Sequence, residues 1–171
     1  MKKLSVKNLT RLSLLCAISI CLSAVESFLP VISAVPGGKL GLANVVILII
    51  MYEFDPCSAV FVNILRAVLS SLIFSGANAF LYSVCGAALS SIAMLGLYKL
   101  PKDKISPIGI SVAGAFMHNL GQVLVSSLML KNTAVISYMC PLSVISVISG
   151  CVTGYGALYF IKHKTMGDFY E

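Results

Sequence analysis

The sequence predicts an all-α integral membrane protein, a bundle of about six transmembrane helices with no soluble domain. Three observations lead there. Hydrophobic residues make up 58% of the 171 positions and charged residues only 11%, with a mean hydropathy of +0.99, more apolar side chain than a water-soluble core can hide. The apolar residues fall into runs, and helices of about 20 residues joined by short loops use nearly all of the chain. The basic residues lie between those runs, the distribution that membrane topology imposes, rather than in one patch interleaved with aromatics. The net charge of +6 therefore does not indicate a nucleic-acid partner.

Helix 1 is expected from Leu12 to Leu29, behind the basic head Lys2, Lys3, Lys7 and Arg11. Glu26 and Pro30 follow the run where a secretory leader would carry small residues for cleavage, so this helix is read as uncleaved. A Pro and Gly segment, 30–41, leads to helix 2, about Leu42 to Tyr52, which is too short to span comfortably and is ended by Glu53, Asp55 and Pro56. Helix 3 is expected from Ser58 to Phe74, with Asn63 and Arg66 in its middle, and Ser75, Gly76 and Asn78 supply the next turn. Helix 4 follows from Ala79 to Tyr98, then the polar stretch Lys99 to Lys104, helix 5 from Ile108 to Leu130 and helix 6 from Tyr138 to Ile161. The chain thus divides into a basic segment 1–11, a membrane domain 12–161 and a polar, frayed tail 162–171.

The charges test this division independently. An even number of spans puts both termini on one side, and with that side cytoplasmic Lys2, Lys3, Lys7, Arg11, Lys99, Lys102, Lys104, Lys162 and Lys164 are inside. Only Lys39 and Lys131 fall outside, and Arg66 lies within a span. The six cysteines form no C-x-x-C pair and mostly lie in apolar runs, so they are read as packing residues rather than metal ligands or disulfide partners.

Polar residues at membrane depth are costly unless paired or exposed to a wet cavity, which makes them the candidate site. Asn63, Arg66 and Ser70 share a face of helix 3, and Gly114, His118 and Gln122 are four apart on helix 5 with Asn119 beside them. Glu26, Lys39 and Asn44 gather at the outer end, so the expectation is a polar cavity lined by Arg66, His118, Asn119 and Gln122 with these three near its mouth; the alternative role for each residue is to bridge helices. Small residues at every fourth position, Ser146, Gly150 and Gly154 in helix 6 and Ala17 and Cys21 in helix 1, allow close helix approach, either within the bundle or to a partner. No Gly-rich phosphate loop, H-E-x-x-H or G-x-S-x-G occurs, and His118 and His163 are the only histidines. Neither an enzyme nor a cofactor or metal site is expected.

The segments Gly38-Lys39-Leu40-Gly41-Leu42-Ala43-Asn44, Leu65-Arg66-Ala67-Val68-Leu69 and His118-Asn119-Leu120-Gly121-Gln122 resemble the bacterial Gx transporter family, also labelled heptaprenyl diphosphate synthase component I. That family resembles the substrate-binding S components of energy-coupling factor transporters. The resemblance implies an S-component-like six-helix bundle in the bacterial cell membrane that captures a vitamin, cofactor or precursor. It also implies a membrane scaffold and ATPase subunits as partners, docked through the helix 1 stripe, where Ala17 and Cys21 stand in place of an Ala-x-x-x-Ala pattern. The alternative is a membrane accessory subunit linked to polyprenyl diphosphate or quinone synthesis. The chain has only Asp55, Asp103 and Asp168, so it lacks the aspartate-rich motifs with which prenyl synthases hold magnesium diphosphate.

The orientation has a direct test. With the native cysteines replaced, single cysteines near Lys39 and Lys131 should react with a membrane-impermeant maleimide in intact cells, and those between Lys99 and Lys104 only after permeabilisation. The reverse pattern refutes the orientation.

Overall fold

The computed structural model describes residues 6–28, 41–74, 76–101 and 105–167. Among them it is an all-α bundle without strands. Its helices are α1 (Val6–Phe28), α2 (Leu42–Glu53), α3 (Pro56–Phe74), α4 (Gly76–Tyr98), α5 (Pro107–Leu130) and α6 (Met139–Gly167), with a 3-10 turn, Thr133–Tyr138, between the last two. Five of the helices are long and apolar enough to cross a membrane, and α2 is the short exception.

Several boundaries differ from the sequence reading, each for a physical reason. Helix α1 starts at Val6 rather than Leu12, so Lys7 and Arg11 ride on its first turns. Gly76 and Asn78 belong to the start of α4 instead of forming a turn. Helix α6 continues through Lys162 to Gly167, where a frayed tail was expected. At Gly76 and Asn78 a continued helix in a low-dielectric medium satisfies backbone groups that a loop leaves bare, which outweighs their turn preference, and at the two chain ends Lys and Arg are good helix formers that extend α1 and α6 past the apolar runs.

Local chemistry sets the remaining ends. Asp55 caps α3, accepting from the Ser58 amide at 2.8 Å and the Ser58 hydroxyl at 2.7 Å. The hydroxyl bond, above all, holds its carboxyl below the usual range. Helix α5 has Pro107 in its first turn and Ser106 as a cap that accepts from the Gly109 amide. It stops where Lys131 turns left-handed at φ 48°, and Asn132 then caps the 3-10 turn by accepting from the Ala134 amide.

The helices close a ring in the order α1, α3, α4, α5, α6, α2, with α2 also packed on α3. At 12 residues α2 is about 18 Å long, well short of a hydrocarbon layer of about 30 Å. It is nonetheless the most deeply buried helix. Val46 to Met51 are all enclosed, packed with Leu12 and Cys16 of α1, Ala59 and Val62 of α3, Met94 of α4, Ile110 of α5 and Ala157 of α6. These residues lie toward the end of the bundle that holds the α2–α3 and α4–α5 connections, where Tyr52 and Tyr98 also meet edge to face at 5.2 Å. One half of the ring is thus a packed apolar plug.

Glycines suture α4, α5 and α6. A Cβ at Gly150 would sit 2.5 Å from the Val112 Cα, one at Gly154 2.7 Å from the Ile108 Cα, and one at Gly121 2.8 Å from the Gly86 Cα. The stripe Ser146, Gly150 and Gly154 is therefore used inside the bundle, where Ser146 is fully buried. The hydroxyls of Ser111 and Thr153 add a 2.8 Å hydrogen bond between α5 and α6. By contrast, Ala17 and Cys21 lie on an exposed stripe of α1.

Replacing Gly150 by Ala should cost about 1 to 3 kcal/mol, because the nearest obstructing atom, the Val112 Cα, is backbone. Gly96→Ala should be neutral or stabilising, since nothing described lies within 4 Å of its Cβ position. Thermal unfolding in detergent measures both, and equal losses would contradict the packing described.

Candidate functional site

The other half of the ring is open inside. A cavity of about 570 Å³ lies where α1, α3 and α5 end and α2, α4 and α6 begin. Every helix contributes to its wall: Ser23 and Glu26 from α1, Asn44 from α2, Arg66, Ser70 and Phe74 from α3, Tyr82 and Ser83 from α4, His118, Asn119, Gln122 and Ser126 from α5, and Leu142 from α6, with Val135 and Tyr138 of the 3-10 turn. The void follows from the short α2 together with the plug, which fills only the opposite half.

Arg66 is the central charge, only 8% exposed. One terminal nitrogen donates to the Ser23 hydroxyl at 2.9 Å and the other to the Asn63 carbonyl at 2.8 Å. Its Nε has no hydrogen-bond partner among the described residues. Glu26, itself buried, lies within electrostatic reach of the guanidinium, and its carboxylate accepts from the backbone amide of Gly41. That amide belongs to a residue with φ +70°, a left-handed conformation that glycine adopts without strain, and it leads directly into α2. The carboxylate thus holds the start of α2, and with it Asn44, at the end of α1.

Asn63, a candidate ligand-binding residue from its place beside Arg66 on helix 3, does not line the cavity. It lies beneath it, 1% exposed, donating to the Ser91 hydroxyl at 2.9 Å while accepting from Arg66. Its helix-facing position makes it the link that braces the guanidinium against α4. Asn119 reaches the cavity wall, but its amide donates to the Ser146 hydroxyl of α6 at 2.8 Å, so it also bridges helices. His118 packs against α4, its ring 3.1 Å from the Cβ position of Gly86. Gln122 is half-buried on the wall and makes no side-chain hydrogen bond with the described residues. Lys39 falls outside the described residues, so its expected place at the mouth has no structural counterpart here.

The geometry therefore brings Glu26, Asn44, Arg66, His118, Asn119 and Gln122 to one cavity. Sequence reasoning missed Ser23, Tyr82, Ser126 and Tyr138 as lining residues. Serines are common in close-packed membrane helices and tyrosines at membrane interfaces, so neither type carries a signal by itself. No group of three or more His, Cys, Asp or Glu that could hold a metal occurs among the described residues.

A family model described as heptaprenyl diphosphate synthase component I matches residues 15–160. The chain belongs to this family. The match runs from α1 to α6 and so includes every helix that builds the cavity. No curated protein and no solved structure matches the chain.

The two asparagines should differ in cost. Asn63→Ala strands a buried guanidinium N–H and should destabilise by about 3 kcal/mol, whereas Asn119→Ala removes a neutral interhelical bond worth about 0.6 to 1.7 kcal/mol. Unfolding in one detergent compares them, and the opposite order would show that Arg66 does not depend on Asn63.

Proposed function

We infer that this membrane protein is the substrate-binding subunit of a bacterial small-molecule transporter, an S-component-like capture protein for a vitamin, cofactor or precursor. The observation that carries the reading is the cavity: a mixed polar and apolar chamber of about 570 Å³, within the usual range for small-molecule sites, lined from all six helices. A bundle held only by packing has no use for so many polar groups around a void at membrane depth.

In this reading Arg66 supplies a permanent positive charge. Each terminal nitrogen carries a second N–H beyond those given to Ser23 and Asn63, so the guanidinium keeps donors for a carboxylate or phosphate on the ligand. Gln122 and Asn44 donate and accept, His118 does either according to its tautomer, and Phe74, Tyr82 and Tyr138 add aromatic surface to the lining. The distribution of Lys and Arg supports a reading with this end of the bundle outside the cell and both termini in the cytoplasm. The chain itself carries no nucleotide-binding motif, so uphill transport would draw on partner scaffold and ATPase subunits, with the exposed Ala17 and Cys21 stripe on α1 as the docking face.

A second reading, a membrane accessory subunit in polyprenyl diphosphate or quinone synthesis, is favoured by the family's description and by an apolar lateral groove between α4 and α5. In both readings the chain is not itself the catalyst.

Mass spectrometry of gently purified protein identifies the retained small molecule and the copurifying subunits, and Gln122 separates binding from folding. Gln122→Leu should weaken that molecule's binding about threefold to tenfold at unchanged melting temperature, whereas Arg66→Gln should lower both. Wild-type binding by Gln122→Leu would show that the cavity is not the ligand site.

A further inference from the structure

The cavity is polarised along the bundle. On α3 its lining runs from Arg66 through Ser70 to Phe74, about 12 Å, and on α5 from Asn119 through Gln122 to Leu130, about 16 Å. Both helices run in the same direction, so Arg66 and Asn119 belong to the floor and Phe74 and Leu130 to the mouth. Asn44 lies at the floor as well. It stands about 14 Å along α2 from Glu53, as Arg66 stands about 15 Å along α3 from Pro56, and the short 53–56 connection joins those two ends.

The charge is held at the floor. The Arg66 guanidinium donates to the Asn63 carbonyl, one turn farther from the mouth, and to the Ser23 hydroxyl of α1. It cannot swing toward the mouth without giving up both bonds. The second hydrogen on each terminal nitrogen, and the Nε hydrogen, which has no partner among the described residues, remain as donors for a bound group.

Toward the mouth the lining turns apolar. Buried Val123 and Leu142 stand one turn above Asn119 and the hydroxyl it bonds, and Phe74, Leu130, Val135 and Tyr138 line the far end. Gln122 and Ser70 keep polar groups in the first turn above the floor, and Ser126 is the polar exception higher on α5. Such an order suits a molecule with an anionic group at one end and an apolar body at the other, seated head first.

Glu26 decides between anions. Its carboxylate lines the same cavity within electrostatic reach of Arg66, so it repels whatever anion the guanidinium attracts. A phosphate monoester, at about −1.5 to −2 charges, feels that repulsion up to about twice as strongly as a singly charged carboxylate. The planar donor fork also matches the two oxygens of a carboxylate.

We propose that the cavity binds a small amphipathic carboxylic acid, its carboxylate on Arg66 at the floor and its apolar end between Phe74 and Tyr138 at the mouth. This assignment rests on the capture reading given above and narrows the class of molecule captured.

The test is calorimetric titration of full-length protein in lipid nanodiscs, with the heat of empty discs subtracted. The probes are 4-phenylbutyrate, its methyl ester, 4-phenylbutyl phosphate and acetate. Phenylbutyrate should bind at least about tenfold tighter than its uncharged ester, about threefold to tenfold tighter than the phosphate and at least about tenfold tighter than acetate, which offers the head alone. Phe74→Ser and Val135→Ser, both at the mouth, should each weaken phenylbutyrate about threefold at unchanged melting temperature. Equal binding of phenylbutyrate and its ester, tighter binding of the phosphate, wild-type affinity in both mouth variants, or no binding of any probe overturns the assignment. In each of those cases the capture reading still stands if Gln122→Leu loosens the molecule retained on purification, and it falls separately if Gln122→Leu does not.

Discussion

A guanidinium enclosed by apolar helices must be satisfied from within the bundle, and the organisation of this protein follows from how Arg66 is satisfied. Its charge is met by acceptors on two helices: Ser23 and, at electrostatic range, Glu26 of α1, and Asn63 of its own helix. Asn63 then passes the load to Ser91 of α4, and Glu26 to the first amide before α2. Four helices are registered against one another through one cation. The network also forms a floor, with packed Val46 to Met51 and their neighbours on one side and the polar cavity on the other. Removal of any member leaves a charged or polar group without its partner at a depth where water does not replace it.

The architecture was legible because lipid enforces it. Apolar runs of spanning length announce helices, and the break at 53–56 and the polar stretch after Tyr98 announce connections, so α2 to α5 could be placed within three residues at both ends, and α1 and α6 at the end where each meets the rest of the bundle. What was not legible came from contests that single residues cannot decide. Gly76 and Asn78 read as a turn by preference, yet the helix runs through them because its backbone is better satisfied that way. The small stripe Ser146, Gly150 and Gly154 announced a close approach without naming the partner, and the partner proves to be α5.

For the site, composition and spacing were informative to a similar depth. Arg66, His118 and Gln122 stood out because polar side chains are rare in such runs, and the fold does gather them. Spacing alone could not separate Asn63, which is spent on Arg66 and Ser91, from Gln122, which keeps its amide for the cavity. That difference depends on which way each helix is rotated, a property of the whole ring. Tyr82 and Ser126 escaped for a simpler reason: their residue types are ordinary at these positions, and only the curvature of the wall gives them a role.

The glycine sutures have a consequence for divergence. With Gly86, Gly121, Gly150 and Gly154 bringing backbone against side chain and backbone across α4, α5 and α6, that side of the chamber behaves as a casting whose spacing admits no added carbon. The opposite side is joined by side-chain bonds through Ser23, Glu26 and Arg66 rather than by backbone contact. The chamber can therefore change shape without moving its helices only on the α1 and α2 side, where a substitute must keep the polar partners paired, while the α5 wall keeps its spacing.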